Sequence, residues 1–348
     1  MLEPDHKIAI YAEANMGLIN AKMAEGILRY GRNPVVCVID SHAAGRHLRD
    51  LCGVERDIPV VATLEEAIAF GAEVLVLGTT PSGGRVPPEW MAMLERAVGA
   101  GLSVVNGLHD RLNDVLGARL REGQWIWDIR KPQDDMPPIA MARAAGLTNT
   151  RVLMVGTDMA VGKKTAGLEL WTALRAAGHD AAFLATGQSG VAITGKGIPL
   201  DAFRVDHAAG AVERLVMENA DHDVLVIEGQ GSLLHPGSTA TLPLMRGSCA
   251  NALILCHRAG MEMLDTAGPE IRVPPLAEVI ALNEAVAAAA GALTPARVVG
   301  IALNTRTLSE GAARDAIART QAETGLPVAD PVRFGADPLA RAVAGVRG

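Results

Sequence analysis

Aromatic side chains make up only 3% of the 348 residues, and lysine is scarcer still, with six in the whole chain. The net charge is −7. A nucleic-acid binder shows a basic face or a set of stacking aromatics; neither is present, so nucleic acid is not an expected partner. Cysteine is also sparse. Cys37, Cys52, Cys249 and Cys256 form no C-x-x-C pair and no zinc spacing, which reads as reduced, buried thiols in a cytoplasmic protein with no metal site. Long apolar runs are missing too. Hydrophobic residues reach 49% and the mean hydropathy is +0.21, but charged residues interrupt every run before the roughly 18–20 residues of a membrane span. The opening Met-Leu-Glu-Pro-Asp-His-Lys does not read as a signal peptide.

What is there is an alternation of short apolar strands and helices. Strands are expected at Lys7–Tyr11, Val35–Ile39, Val60–Val61, Glu73–Leu77 and Leu102–Asn106, with helices at 21–30, 64–70 and 88–100 between them. This order argues for a parallel, helix-covered sheet. Asp40 ends the second strand, where dinucleotide folds place a ribose-binding carboxylate, but the turn 12–18 lacks G-x-G-x-x-G. Asp40 therefore reads as a loop carboxylate. Ser82, Asn106 and His109, on strand-end loops, are possible polar contacts. Residues 123–150, with Pro132, Asp134-Asp135 and Pro137-Pro138, read as a join. Two α/β domains follow: a Rossmann-like domain at 1–135 and a P-loop NTPase-like domain at 136–348.

The strongest local signal is Gly156-Thr157-Asp158-Met-Ala-Val-Gly162-Lys163-Lys164-Thr165, after the apolar run Val152–Val155 and before a helix. Two of the six lysines stand side by side here. Glycines let backbone N–H groups turn inward, the helix N-terminus adds partial positive charge, and Lys163 adds a full one, so the segment reads as a phosphate-binding loop. It departs from the usual spacing: five residues separate the glycines, Lys164 stands where the metal-binding hydroxyl belongs, and Thr165 comes one place late. Such a loop should hold a diphosphate better than a phosphate-bound magnesium.

Further strand ends add candidates. Glu228 closes the apolar strand 223–227 and is followed by Gly229-Gln230-Gly231, a place for a base or a metal ligand. His235 and His257 stand where side chains emerge at the reactive edge of a parallel sheet, as candidate proton carriers, although a lone histidine is usually structural. Thr186-Gly187-Gln188-Ser189-Gly190 reads as a flexible polar turn whose N–H groups can meet a carboxylate or polarise a carbonyl. Asn304 and Thr305, with Asp330 beyond, suit recognition of a purine base. The Ala-rich segment 276–290 is a good helix former.

The loop and the Glu-Gly-x-Gly strand end resemble dethiobiotin synthetase, but that family's carbamate-holding Lys-Pro is replaced here by Ala185-Thr186-Gly187-Gln188, so its activity is not expected. A fuller resemblance covers nearly the whole chain. Pro81-Ser-Gly-Gly84, Asn106-Gly-Leu-His109, Gly156-Thr-Asp158, Thr186-Gly-Gln-Ser189, Glu228-Gly-Gln-Gly-Ser232, His235-Pro236 and Cys256-His257 are similar to a family long catalogued as a domain of unknown function, whose members resemble D-glutamate N-acetyltransferase. Members commonly read Gly-Thr-Asp-Cys and Gly-Lys-Met-Thr; Met159 and Lys164 stand at those places here, which excludes an acylated cysteine at position 159.

The resemblance implies acetyl-CoA as acyl donor and an amino acid such as D-glutamate as acceptor. It places the coenzyme phosphates on Gly156, Thr157, Asp158, Gly162, Lys163, Lys164 and Thr165, with Asn304 beside them. Gln188, Ser189, Gln230 and His257 are assigned to the substrate, and Glu228 or His235 to the catalytic base. Magnesium enters only under the alternative of an ATP-dependent ligase or kinase. A homo-oligomer is expected.

Overall fold

The structure is a computed structural model and describes residues 2–131, 136–266 and 268–346. Two compact units emerge, Met1–Gln133 with Gln188–Ala202, and Asp134–Gly187 with Phe203–Gly348. The boundary at 135/136 expected from the sequence, together with Pro132, Asp134 and Asp135, lies outside the described residues. A single boundary also did not anticipate that Gln188–Ala202 packs with the first unit.

In the first unit, strands β1 (Ile8–Tyr11), β2 (Val35–Ile39), β3 (Val60–Val61), β4 (Val74–Leu77), β5 (Ser103–Asn106) and β6 (Ile126–Asp128) form one sheet in the order β3-β2-β1-β4-β5-β6. Every pairing is parallel. Helices cover such a sheet on both faces, so its strands are continuous apolar runs rather than alternating ones. Accordingly, all four residues of β1 and of β4 are buried. Leu75, Leu77, Leu94 and Val104 are wholly inaccessible in one core, each contributing roughly 1.5–3 kcal/mol of burial. Asp40 accepts the backbone N–H groups of Ala14, Met16 and His42 at 3.0–3.1 Å. It organises the loops after β1 and β2, as a loop carboxylate should.

In the second unit, β7 (Thr150–Gly156), β8 (Ala181–Leu184), β9 (Val224–Ile227), β10 (Ala252–Arg258), β11 (Arg297–Asn304) and β12 (Val328–Ala329) form a parallel sheet in the order β12-β11-β10-β7-β9-β8. The chain runs out to β8, returns through β9, then passes β7 to β10. This reversal brings the carboxyl ends of β7, β9 and β10 side by side, the place where open α/β sheets bind ligands. Both sheets match the two α/β domains read from the sequence.

The join is anchored to the second unit by Glu213. Its buried carboxylate accepts the N–H groups of Met141 (3.1 Å) and Arg143 (2.7 Å) and the Nε of Arg143 (2.8 Å). At the start of β7, the fully buried guanidinium of Arg151 donates to the carbonyls of Leu147, Asn149, Ser248 and Cys249, so its donors are satisfied by backbone rather than by a carboxylate. One expected turn is not a turn: Gln188–Thr194 is a helix. Gly187 ends the polar segment, and Val191, Ala192 and Ile193 bury the helix's apolar face.

Candidate active site

The loop after β7 has the geometry its sequence suggested. Gly162 takes φ +110° at the N-cap of the helix Lys163–Ala176, a conformation that costs glycine little and other residues much. The turn leaves the first N–H groups of the helix without helical acceptors, the usual seat of an anion. Lys163 is buried and folds back onto its own loop. Its Nζ donates to the carbonyl of Asp158 at 2.6 Å and of Met159 at 2.9 Å. Burial lowers its pKa to about 8, with Cys256 and Asp158 pulling the other way. Cys256, on β10, is pushed up to about 12 by burial and is a neutral thiol. Lys164 follows on the same helical turn and its charge acts on Glu228. Thr165 is the third residue of this helix.

Glu228 stands one residue past β9 and is almost fully buried. Its Oε2 accepts the N–H groups of Thr186 at 2.9 Å and Gly187 at 3.0 Å, while Thr186 Oγ1 donates to the Glu228 carbonyl at 2.8 Å. Burial raises its pKa; Lys164 and the two N–H groups oppose that rise. The carboxylate is thus desolvated, with one cation and two N–H donors acting on it. The N–H of Gly187, expected to face a substrate, serves Glu228 instead. Gly229 permits the arrangement, because a Cβ there would lie 1.5 Å from the Met154 carbonyl oxygen.

The other predicted residues fall into two sets. Thr157 is fully buried, and its Oγ1 lies 3.0 Å from Nδ1 of His257. Burial, then the charge of Arg258, lowers the His257 pKa to about 4, so the ring is neutral near pH 7. Asp158 Oδ1 accepts the Met159 N–H and Oδ2 the Asp265 N–H at 2.8 Å. Asn304 rests on the loop, with Nδ2 donating to the Val161 carbonyl at 3.3 Å and Oδ1 accepting the Arg306 N–H. Gln230 turns its Nε2 onto the carbonyl and hydroxyl of Thr186.

His235 has both ring nitrogens engaged. Nδ1 accepts the Gly237 N–H at 3.0 Å, so Nε2 carries the proton and faces the Asp265 carbonyl at 3.3 Å. This tautomer holds the loop together. Gln188 and Ser189 open the helix Gln188–Thr194, which belongs to the first unit.

Sequence reasoning missed the segment 259–275. Leu264 N–H bonds to Ile271 O, Val273 N–H bonds to Glu262 O, and Met263 bridges Arg272 in antiparallel fashion. These contacts make a small flap whose Asp265 peptide is held by both Asp158 and His235. Gly-Pro-Glu-Ile-Arg-Val-Pro-Pro gives a turn signal there, but the anchoring is through backbone, which leaves no mark in a sequence.

Two family models match the chain: a Domain of unknown function (DUF1611_N) Rossmann-like domain over residues 41–132 and a Domain of unknown function (DUF1611_C) P-loop domain over residues 138–340. The chain belongs to the DUF1611 family. A DUF1611 family protein from Anabaena variabilis has a solved crystal structure with TM-score 0.94 and 48% identity, covering 98% of this chain and 100% of that one. Two curated relatives are named D-glutamate N-acetyltransferase. The Tritonibacter scottomollicae protein is 37% identical over 88% of this chain and 91% of its own length. The Pseudoalteromonas protein is 34% identical over 79% of this chain and 82% of its own. On this relationship the chain is an enzyme of the acyltransferase class. Among the described residues, no helix is long and apolar enough to cross a membrane.

Proposed function

We propose that this DUF1611 member transfers the acetyl group of acetyl-CoA to the amino group of D-glutamate or a similar D-amino acid. The observation that carries the reading is the charge of Lys164 acting on Glu228. A cation occupies the position where a P-loop enzyme keeps its metal-binding hydroxyl, and it acts on a buried carboxylate at the neighbouring strand end. No phosphoryl group has to move, so the loop serves to grip. The helix N-terminus, Gly162, Lys163 and Lys164 hold the coenzyme diphosphate, and Lys163 exchanges the loop carbonyls for phosphate oxygens.

The chemistry follows from the groups present. Glu228 takes a proton from the substrate ammonium, and the freed amine attacks the thioester carbonyl. The new bond is N–C; the bond that breaks is C–S. The proton lost from nitrogen on collapse leaves with the coenzyme thiolate as free thiol. Burial raises the Glu228 pKa and the charge of Lys164 opposes that rise, which suits a group that accepts a proton during the reaction.

The deciding measurement is thermal stability of the purified protein with acetyl-CoA, coenzyme A and ATP-magnesium. A ligand specific for the folded state adds about 2.7 kcal/mol at a hundred times its Kd. A rise with acetyl-CoA and coenzyme A, followed by D-glutamate-dependent thiol release that survives EDTA, is the expected result. A rise with ATP-magnesium alone would sink it in favour of a ligase or kinase.

A further inference from the structure

A cleft of about 560 Å³ opens in the second unit, within the roughly 300–1,000 Å³ of small-molecule sites. His257 and Leu303 line it from the ends of β10 and β11. The flap contributes Glu262 and Arg272 to the lining, and the helix Glu310–Thr324 contributes a second set of residues. On that helix the lining positions are Ala316, Arg319, Thr320 and Glu323, spaced three and four residues apart, so a single helical face looks into the cleft.

Its charge pattern is unusual. Arg272 and Arg319 line the cleft from two different elements, and among the described residues neither guanidinium has an ion pair or a hydrogen bond. Arginine forks match carboxylates in a planar, bidentate way. Glu262 and Glu323 also line the cleft. Two cationic forks complement a molecule carrying two carboxylates. The floor is tied to the phosphate loop through Thr157 and His257, and the flap is tied to it through Asp158 and Asp265, so an occupant lies beside the acyl donor's loop.

Resting on the acetyltransferase reading, we propose that this cleft is the acceptor site, in which Arg272 and Arg319 each hold one carboxylate of an amino dicarboxylic acid above His257.

Calorimetric titration of D-glutamate into the full-length protein tests the assignment without requiring turnover, with Arg272→Met and Arg319→Met measured singly and Arg319→Lys as the conservative control. Both arginines are exposed, so the variants should melt with the wild type. Each Met variant is expected to weaken D-glutamate binding about tenfold or more, with partial recovery in Arg319→Lys and coenzyme A binding unchanged. D-Glutamate affinity unchanged in both Met variants overturns the proposal. So does a loss of coenzyme A affinity that vanishes with 3′-dephospho-coenzyme A, because the cleft would then serve the 3′-phosphate. If the wild type binds no D-glutamate, the acceptor site falls as well. Arginine-dependent D-glutamate binding without thiol release from acetyl-CoA leaves the cleft standing and removes the donor reading instead.

Discussion

The hydroxyl of Thr157 meets Nδ1 of His257 at 3.0 Å, which joins the first residue past Gly156 to the end of β10. Both side chains are buried. One hydroxyl therefore fixes the histidine ring and couples the phosphate loop to the cleft beyond it.

That burial sets a pH dependence. His257 titrates at about 4 in the fold and near 6.5 when unfolded, so the unfolded chain binds more protons between those values and stability falls as pH drops through that window. Between pH 7 and pH 5 the cost is about 2 kcal/mol. Urea denaturation at the two pH values should show His257→Asn losing less stability than the wild type by that amount. The rise in the Glu228 pKa acts in the opposite sense but is common to both proteins, so the difference isolates His257. Equal losses in the two proteins would show that His257 is not buried as a neutral ring.

Lys163 gives a second dependence, of opposite sign. Its pKa of about 8 in the free loop means that its charge, proposed to grip phosphate, is present at pH 7 and disappears as pH rises past 8. Coenzyme A affinity, measured calorimetrically, should drop roughly tenfold between pH 7 and pH 9 in the wild type. Lys163→Met should bind more weakly at both pH values and lose most of that slope.

Glu228→Gln separates chemistry from binding. The amide oxygen can still accept from Thr186 and Gly187, so the loop should keep its form and coenzyme A its affinity. Removing a base is worth roughly 10²–10⁴ in rate, and kcat should fall by that order. Because burial raises the Glu228 pKa, the neutral amide should also raise the melting temperature, the usual opposition of stability and activity at a site. Unchanged turnover would remove the base role.

Much of this was legible because it depends on local physics. The strand–turn–lysine–helix run at 152–177 and the strand end at Glu228 each declare themselves within a few residues, and the alternation of strands and helices dictates parallel sheets. Contacts that depend on distant partners did not show. Gln188 and Ser189 look like loop residues until the apolar Val191–Ile193 are seen buried on one helical face. The contacts of His235 with Gly237 and Asp265 leave no pattern in the sequence. Arg272 and Arg319 are 47 residues apart in the sequence and come to one cleft only through the flap and the helix Glu310–Thr324.

The approach of Gly229 to Met154 is the sharpest steric constraint near the site. A Cβ at position 229 would sit 1.5 Å from a backbone oxygen of β7 and 3.2 Å from Lys163 Cδ, and neither the strand nor the buried lysine can yield without disturbing the phosphate loop. Gly229→Ala should therefore cost about 3 kcal/mol or more and weaken coenzyme A binding together with stability. Gly311 is the control: it lies in the first turn of the helix Glu310–Thr324 with open space where a Cβ would go, and alanine there should gain up to about 1 kcal/mol. Denaturation midpoints of the two variants decide the matter. Similar small changes in both would mean that β9 can shift away from β7, and that the position of Glu228 is not set by this contact.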